Sequence, residues 1–420
     1  MNVDLNHVER VIGFDSHPDL FTAAALRGRT PAEAIVEKTY NKIPMSQLKA
    51  WAQKNTTERD LFVLEASGNS FQVVRTLAAI ERQALVLESC QMGRLKEAHA
   101  NNDKISAVRI GKAYLAGTAK TVWVPDAKTQ ERRDWFHAHR KAVKRTTQMR
   151  NRLLSYLSDQ GVRLAKGTPL AKGTAVEAQL RPLKAWSPRQ WQVIAGMLME
   201  LRHADAQRDH WRSLIAQEVL ADPQLLSIVR LCGVREMVAF ALGALIGDIK
   251  RFAEPRKLVK YIGLNPAFDH SGQDQWSGGI AGHGRKDLRS LLIESAQAIL
   301  RSHHPLAKWG KKLLARKGSL NLAAGAVARK LAVAVWHLLM GRWTALEEID
   351  DRLAIKVGKI ITSVGAKGLK QLGKTRKVLR AESYQSLTTG RIYVLDPDKK
   401  FAPALCARKR KNAFNKKELV

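Results

Sequence analysis

Residues 11–26, which read VIGFDSHPDLFTAAAL, decide the predicted fold of this chain. Two apolar runs are separated by the polar turn 16–19, which contains a proline, and this pattern is typical of two antiparallel strands. The first run ends in a carboxylate, Asp15. Further apolar runs alternate with helical patterns downstream, so we expect an α/β domain with a mixed sheet.

Two more acids occupy comparable positions further along. Residues 60–65, DLFVLE, are an apolar run that ends in Glu65, and Asp103 opens the amphipathic helix DKISAVRIGKAYLAG. Helical spacing covers residues 69–83, and residues 84–87 predict a third interior strand. A sheet could therefore bring the three acids to one edge.

Two less regular segments complete this region. Thr30 opens a polar patch that we predict to be helical, and helical spacing continues through residues 46–53. Residues 122–125, VWVP, predict a short extended piece.

The charge balance restricts the class of partner. The 420 residues contain 71 Lys and Arg against 38 Asp and Glu, which gives a net charge of +33. Such an excess favours a polyanion as partner, and nucleic acid is commoner than an anionic membrane. A merely basic protein without catalysis stays open on charge alone.

The remaining bulk properties indicate a soluble, cytoplasmic protein. The 3 cysteines have no C-x-x-C spacing, which argues against structural zinc and against a disulfide framework. The first ten residues, MNVDLNHVER, lack an apolar core of signal-peptide length. The longest apolar run, 331–340, is too short to span a bilayer, so we expect no membrane partner.

The middle of the chain predicts a basic helical arm. Residues 129–156 are strongly basic helix formers, and a second helical pattern runs from the Ser187-Pro188 cap to about residue 220. This is the pattern of a helical hairpin or coiled-coil arm. Its cationic face favours nucleic-acid binding over a merely solvated helix pair.

The second half predicts mainly helices. Residues 225–252 indicate two helices around a turn at Gly233, similar to helix-hairpin-helix modules that contact the DNA backbone. Helices are predicted at 256–261, 285–301 and 320–340. Beyond residue 343 the pattern weakens, with an extended piece at 391–395 and a basic tail, ARKRKNAFNKK, that we interpret as a flexible arm.

A glycine-rich stretch precedes the helix at 285–301. Residues 264–289 read LNPAFDHSGQDQWSGGIAGHGRKDLR and place Ser271-Gly272 in a predicted loop. Glycines let a backbone approach a phosphate, and the following His283, Arg285 and Lys286 could offset its charge. Ser271 is therefore a candidate nucleophile for a phosphodiester, although a Ser-Gly turn without function has the same pattern.

The three acids suggest a metal site. Carboxylates that cluster repel each other unless a cation joins them, and their hard oxygens suit Mg²⁺ or Mn²⁺. Two such ions would bracket a scissile phosphate. Acids at strand ends and helix starts also act as ordinary caps, and that alternative stays open.

A series of motifs resembles one known family. The motifs GFDS, LEASGN and NDKISA lie within residues 13–107, and IGDIKRF, YIGLNP, SG, GGI and GxxxLR lie within residues 246–289. Their order is similar to that of the DEDD-type transposases of insertion-sequence family one hundred and ten, with the related Piv/MooV DNA invertases. The resemblance covers residues 9–341.

The resemblance implies an organisation and a chemistry. It implies a RuvC-like (RNase H-like) domain at 1–127, a coiled-coil arm at 128–220, a mainly α transposase domain at 221–342 and a basic extension at 343–420. It implies a homodimer or homotetramer with composite active sites, acting on donor and target DNA with a structured bridge RNA as guide. The reaction would pass through a strand linked to a phosphoserine.

Carried over by motif, the resemblance assigns roles to particular residues. Asp15, Glu65 and Asp103 would hold Mg²⁺ or Mn²⁺, and Ser271 would attack the phosphodiester. Ser106 stands where the family has a fourth acid, which predicts a weaker metal site. The expected nucleic-acid contacts are Arg140, Lys144, Arg145, Arg235, His283, Arg285, Lys286 and Arg289.

Three functions remain to be separated. The first is an RNA-guided, metal-dependent serine recombinase, and the second is a protein-directed invertase without guide RNA. The third, suggested by Ser106, is a homologue that binds nucleic acid but cleaves weakly or not at all.

Overall fold

The structure is a computed structural model. It describes residues 7–89, 103–164, 170, 174–271, 274–280, 282–342, 344, 346–347 and 350–389, and for 267–278 only the backbone. The chain divides into two compact units, residues 1–126 and 127–420, which we describe separately.

The first unit is built on a mixed sheet. Its strands are β1 (Arg10–Ser16), β2 (Leu20–Arg27), β3 (Ile35–Pro44), β4 (Asp60–Glu65), β5 (Gln83–Leu87) and β6 (Thr121–Val122). The strand order is β3-β2-β1-β4-β5-β6. β2 is antiparallel to β1 and β3, whereas β4 continues the sheet parallel to β1 and β5 parallel to β4. The predicted hairpin, mixed sheet and α/β class are confirmed.

Among the residues of this unit that the structure describes, three α-helices are present: α1 (Leu48–Asn55), α2 (Ser70–Ala78) and α3 (Asp103–Leu115). Alternate residues of a strand face opposite sides of a sheet. Accordingly Phe14 of β1 packs in one core cluster with Trp51 of α1 and Leu77 of α2. Val11 of β1 packs in another cluster with Ile110 of α3. The sheet therefore has helices on both faces.

The predicted helical patch after Thr30 is wrong. Residues Ile35–Pro44 form β3, which pairs with β2 at the edge of the sheet. Most of its side chains are exposed, so the strand lacks the apolar alternation of a half-buried strand. An edge strand is held by backbone hydrogen bonds to one neighbour, and a polar surface is common there. Its composition therefore resembled that of a solvated helix.

The second unit is mainly helical. Its helices are α4 (Ala127–Asp159), α5 (Thr174–Leu180), α6 (Pro188–Ala221), α7 (Pro223–Ile228), α8 (Glu236–Ile246), α9 (Pro255–Ile262), α10 (Lys286–Leu300), α11 (Pro305–Lys317), α12 (Leu320–Leu339), α13 (Asp350–Gln371) and α14 (Arg376–Thr389). The two long helical patterns of the predicted arm are confirmed as α4, which is basic, and α6, and the two helices pack together. The Ser187 cap is confirmed as a capping box with Gln190.

Helix α12 is the most apolar long helix in the described residues. By length and composition it could cross a membrane, but 56% of the relevant window is buried inside the protein. Val327, Leu331 and Val335 pack in the main helical core with Leu242 of α8 and Leu292 of α10. We therefore interpret α12 as the core helix of this unit.

Two helices beyond residue 343 were not predicted. α13 and α14 contribute Val357, Ile361 and Leu379 to a cluster with Leu226 of α7. The prediction of a weak pattern beyond residue 343 is wrong for residues 350–371 and 376–389, which form helices. These helices were missed because their apolar residues are spaced among many lysines. The extended piece at 391–395 and the basic tail lie outside the described residues.

Lys356 fixes α13 to the turn around Gly233. Its side chain is buried, and Nζ donates to the carbonyl oxygens of Val229 at 3.1 Å and Leu231 at 2.6 Å. Because a buried acceptor that loses its donor costs about 1–3 kcal/mol, Lys356→Met is expected to lower the free energy of unfolding by roughly 3 kcal/mol. Urea denaturation measures this change.

The matched control for this substitution is Lys370→Met on the same helix. Lys370 is exposed, so its replacement is expected to change the free energy of unfolding by less than about 0.5 kcal/mol. Equal midpoints for the two variants would contradict the anchoring role of Lys356.

Candidate active site

Three side chains with metal-ligating atoms meet in the first unit. One ligand atom from each of Asp15, His17 and Asp103 lies within 4.8 Å of the others. Nε2 of His17 is 3.9 Å from Oδ2 of Asp15 and 3.7 Å from Oδ1 of Asp103. We call these three residues the acid cluster. Two of its members, Asp15 and Asp103, were predicted from the sequence.

The strand geometry explains why Asp15 faces α3. Val11, Gly13 and Asp15 are alternate residues of β1, and Val11 packs on the α3 side of the sheet. Ala107 of α3 lies directly against Gly13, since a Cβ built on Gly13 would be 2.0 Å from the Ala107 carbonyl oxygen. Asp103 precedes Ala107 by one helical turn, which brings it to the end of β1 where Asp15 lies.

Glu65 lies at the same edge of the sheet. Parallel pairing sets Phe14 opposite Leu64, so Asp15 and Glu65 end neighbouring strands. Leu61 and Val63, which share the parity of Glu65, pack on the α3 face. The carboxylate of Glu65 is nevertheless not part of the group within 4.8 Å. The structure thus brings Glu65 to the same edge and face of the sheet as Asp15, but outside the acid cluster.

Ser106 is the residue that, by the family resemblance, stands in place of a fourth acid. It lies on α3 three residues after Asp103 and is half-buried. Residues three apart share a helix face. The structure therefore places a neutral hydroxyl beside Asp103 on that face.

The loops at this edge are tied together by side chains that the sequence analysis did not single out. Asn69 Nδ2 donates to the His17 carbonyl oxygen at 2.8 Å, and Ser67 Oγ donates to Asn69 Oδ1 at 3.1 Å. The hydroxyls of Ser16 and Ser67 are 3.1 Å apart. These bonds hold the turn that carries His17 against the loop after β4. In the sequence, the D-x-H spacing of Asp15 and His17 could have indicated that His17 belongs to this site.

A cavity of about 220 Å³ adjoins the acid cluster and is lined by His17, Asp103 and Lys42, among others. Lys42 has a φ of 52°, which is uncommon for a residue with a side chain. Its backbone N–H donates to Thr22 Oγ1 at 3.3 Å. The wall of this cavity thus combines a cation with a carboxylate and an imidazole.

The donor set of the acid cluster suits a divalent cation, and the two distances from His17 permit one. Two ligand atoms bound to one ion by bonds of about 2.1 Å lie at most roughly 4.2 Å apart, and the distances of 3.7 and 3.9 Å fall within that limit. Carboxylates suit Mg²⁺ and Mn²⁺, whereas imidazole is a softer ligand that Mg²⁺ binds less readily. The cluster with His17 therefore fits Mn²⁺ at least as well as Mg²⁺.

The predicted serine loop is instead a β-hairpin in the second unit. Strands β7 (Pro266–Ser271) and β8 (Asp274–Ile280) pair antiparallel, and Ser271 is opposite Asp274 at the tip. Gly272 lies outside the described residues. The prediction of an irregular loop was wrong for residues 266–271 and 274–280. Glycine and aspartate are poor strand formers, but here strand pairing overrides that preference.

The segment after the hairpin crosses the end of α9 at close range. Arg285 N donates to the Tyr261 carbonyl oxygen at 2.9 Å. A Cβ on Gly263 would be 1.9 Å from the His283 carbonyl oxygen, and a Cβ on Gly284 would be 2.7 Å from the backbone nitrogen of Gly263. Arg289 Nη1 donates to the carbonyl oxygens of His283 at 2.9 Å and Gly263 at 3.2 Å. The predicted contact residue Arg289 thus holds this backbone crossing together.

Arg285 is also engaged within the fold. Its Nη2 donates to Asp287 Oδ2 at 2.7 Å. Burial is the largest single influence and acts to lower the pKa of Arg285, but the hydrogen bonds and charge of Asp287, together with Tyr261, raise the pKa overall. For Asp287 the directions are reversed. Burial acts to raise its pKa, but the hydrogen bond and charge of Arg285 lower that pKa below its usual value. His283 and Lys286 are exposed beside this pair.

The other predicted nucleic-acid contacts lie on α4 and at the start of α8. Arg140, Lys144 and Arg145 are exposed on α4. Arg235 precedes α8, and its Nη2 donates to Glu236 Oε1 at 3.1 Å. The α4 residues are the more accessible group for a polyanion.

The relatives that resemble this chain share the class name transposase. Residues 227–310 match the family model described as "Transposase IS116/IS110/IS902 family", so the match includes the Gly233 turn and the Ser271 hairpin. The matches support a transposase of the IS110 type.

Three relatives illustrate the similarity. The transposase for insertion sequence element IS1111A of Coxiella burnetii is 28% identical over 57% of this chain and 66% of its own length. A probable family 20 transposase of Pseudomonas aeruginosa is 26% identical over 57% of this chain and 72% of its own length. The transposase for insertion sequence element IS1328 of Yersinia enterocolitica is 22% identical over 72% of this chain and 89% of its own length.

Proposed function

We propose that this protein is a transposase that cleaves and rejoins DNA for a mobile element, using a divalent cation and a serine nucleophile. The observation that carries the proposal is the acid cluster, in which two carboxylates from separate elements lie beside one imidazole within 4.8 Å. The transposase names of the relatives support the class of enzyme. DNA is then the substrate, and the site of action is the cytoplasm.

The sheet supports a RuvC-like (RNase H-like) first unit. An antiparallel three-stranded start is followed by two strands parallel to β1, in the order β3-β2-β1-β4-β5. Acids at the ends of the neighbouring strands β1 and β4, with a third acid on a crossing helix, are the arrangement that such a metal site requires. Asp15, Asp103 and either His17 or Glu65 would hold the Mg²⁺ or Mn²⁺ ion.

Each residue then has a chemical task. A bound divalent ion would neutralise charge on the scissile phosphate. Asp15 and Asp103 would hold that ion, and Lys42 offers a cation on the same cavity wall. The Ser271 hydroxyl forms the new bond to phosphorus while the bond from phosphorus to the leaving deoxyribose oxygen breaks, and the serine proton goes to solvent or to that oxygen. Rejoining reverses the exchange on another strand.

The experiment that tests this proposal is the trapping of a covalent protein–DNA adduct. Wild-type protein with Mg²⁺ or Mn²⁺ and element-end DNA is expected to give an adduct that resists denaturation. Ser271→Ala is expected to abolish the adduct because the alanine has no oxygen to bond to phosphorus. Gel mobility after denaturation, with labelled DNA, measures the adduct.

The matched control is Ser277→Ala, on the neighbouring strand of the same hairpin, and it is expected to retain the adduct. An adduct that persists in Ser271→Ala would remove Ser271 from the nucleophilic role.

The proposal further includes a guide RNA and an oligomer with composite active sites. The net charge of +33 is compatible with binding both DNA and RNA. Ribonuclease treatment before the adduct assay separates the two active candidates, because an RNA-guided enzyme loses the adduct and a protein-directed invertase keeps it. Light scattering with bound nucleic acid tests for the dimer or tetramer.

One observation favours a second candidate, a homologue with weak cleavage. Ser106 places a neutral hydroxyl where the resemblance expects a carboxylate, on the same helix face as Asp103. A hydroxyl binds a divalent cation less strongly than a carboxylate does. DNA binding without any adduct at saturating Mn²⁺ would select this candidate.

A further inference from the structure

The second unit contains a basic cavity that the proposed chemistry does not use. It has a volume of about 710 Å³ and lies between α6, α13 and the residue that precedes α8. Its lining includes four cations: Arg212, Arg235, Lys359 and Lys367. Of these four, only Arg235 was singled out in the sequence analysis; Arg212 lies on α6 of the predicted arm, and Lys359 and Lys367 lie on α13, to which no role was assigned.

A buried carboxylate holds two of these cations in place. The side chain of Glu236 is 3% exposed, and Oε1 is 3.3 Å from Arg212 Nη2 and 3.1 Å from Arg235 Nη2. Ser363 Oγ on α13 donates to the same oxygen at 2.9 Å. A buried carboxylate is costly unless cations and hydrogen bonds compensate it. Glu236 therefore fixes two guanidinium groups beside each other at the cavity.

Unlike the two arginines, Lys359 and Lys367 are not paired with a carboxylate in the part of the chain that the structure describes. Both are exposed, and among the residues that the structure describes no carboxylate oxygen lies within 4.0 Å of either Nζ. Asp209 also lines the cavity, but it pairs with Arg208 at 2.8 Å. With Asp209 and Glu236 both counted, the four cations still exceed the carboxylates by two.

The cavity wall is a fixed part of the fold. Ser213 Oγ of α6 donates to the Val364 carbonyl oxygen of α13 at 2.6 Å. Gly365 then interrupts α13 with a φ of 73°. Gly368 packs so closely that an added Cβ would be 2.8 Å from Gln217 Nε2. The lysines are therefore presented from a helix that is held firmly against α6.

We propose that this cavity binds phosphate groups of a nucleic-acid backbone and so extends the binding surface of the second unit. Guanidinium forks match the paired oxygens of a phosphate, and the lysines add unneutralised charge. No base-reading geometry is required, so the contact is expected to be independent of sequence. The proposal rests on the proposed function only in that the chain binds nucleic acid, and it assigns no role in cleavage.

The test uses the full chain and measures the salt dependence of binding. Lys359→Gln/Lys367→Gln is compared with wild type on duplex DNA and on double-stranded RNA of equal length. Because each neutralised phosphate contact contributes about 0.9 to the slope of log K against log salt on B-DNA, the double variant is expected to reduce that slope by roughly 2 on the duplex that the cavity binds. The arm that responds identifies DNA, RNA or both as the occupant.

The matched control is Lys370→Gln/Lys377→Gln, which removes the same net charge from exposed positions on α13 and α14 that do not line the cavity. An equal change of slope in the two double variants on both duplexes would overturn the proposal. The lysines are chosen because loss of Arg212 or Arg235 would leave Glu236 buried with fewer partners and could unfold the protein.

The outcome is distinguishable from failure of the proposed function. At saturating protein, Lys359→Gln/Lys367→Gln is expected to keep the covalent adduct, whereas Ser271→Ala is expected to lose the adduct and keep the wild-type salt slope. A changed slope without any adduct in wild type would support the cavity and contradict the recombinase chemistry.

Discussion

Asp15→Asn is expected to abolish metal-dependent strand cleavage without destabilising the first unit. A metal ion contributes several kcal/mol of charge stabilisation to phosphoryl chemistry, and about 4 kcal/mol corresponds to roughly a thousandfold in rate. The amide keeps the shape of the carboxylate but removes the charge that attracts the ion. Cleavage of labelled DNA with Mg²⁺ or Mn²⁺ measures the loss.

The stability of the same variant separates a metal ligand from a structural acid. Carboxylates that lie close together repel each other when no metal joins them. Asp15→Asn is therefore expected to leave the thermal midpoint of the metal-free protein unchanged or slightly raised. Added metal stabilises a folded protein by about 2.7 kcal/mol at 100 times the dissociation constant, and the variant is expected to lose most of that increment. Asp103→Asn is expected to behave alike, because its carboxylate belongs to the same cluster.

The control is Glu58→Gln, an exposed acid in the turn before β4. It removes one negative charge from the same unit, at the opposite end of β4 from Glu65. Cleavage and metal-induced stabilisation are both expected to stay at the wild-type level. A metal increment that survives in both Asp15→Asn and Asp103→Asn would show that these acids do not bind the ion.

The acids of the first unit could be predicted because strand ends are visible in the sequence. Apolar runs that end in Asp15 and Glu65 fix both the edge and, through the alternation of side chains, the face of the sheet. His17 was missed because a lone histidine in a turn has no periodicity. Its proximity to Asp103 depends on how α3 crosses the sheet, which is a tertiary contact.

The predictions for the second unit failed where local preference and tertiary pairing disagree. Ser271 lies in a segment of poor strand formers that forms a hairpin, and the lysine-rich residues 350–371 form a helix that packs on a distant part of the chain. The basic cavity could not be predicted from sequence, because Arg212, Arg235 and Lys359 are far apart along the chain. Only the buried charge of Glu236 explains why the two arginines lie together.

Among Gly→Ala substitutions at the described glycines of the first unit, Gly13→Ala is expected to lower the free energy of unfolding most. The new Cβ would lie 2.0 Å from the carbonyl oxygen of Ala107 and 3.0 Å from the backbone nitrogen of Gly111. Both neighbours are backbone, so α3 itself must move. Overpacking of this kind costs about 3 kcal/mol, and the shift would also carry Asp103 away from Asp15. We therefore expect a loss of stability together with a loss of metal-induced stabilisation.

Substitutions of two other glycines serve as comparisons for this prediction. Gly68→Ala meets no atom within 4 Å, so we expect a change in the free energy of unfolding of less than about 0.5 kcal/mol. Gly111→Ala meets the end of the Leu26 side chain at 2.8 Å, and a side chain can rotate away where a backbone carbonyl cannot. Its cost is therefore expected to lie between the other two, as measured by urea denaturation. If Gly13→Ala proved no more harmful than Gly111→Ala, the close contact between β1 and α3 would not be what positions Asp103.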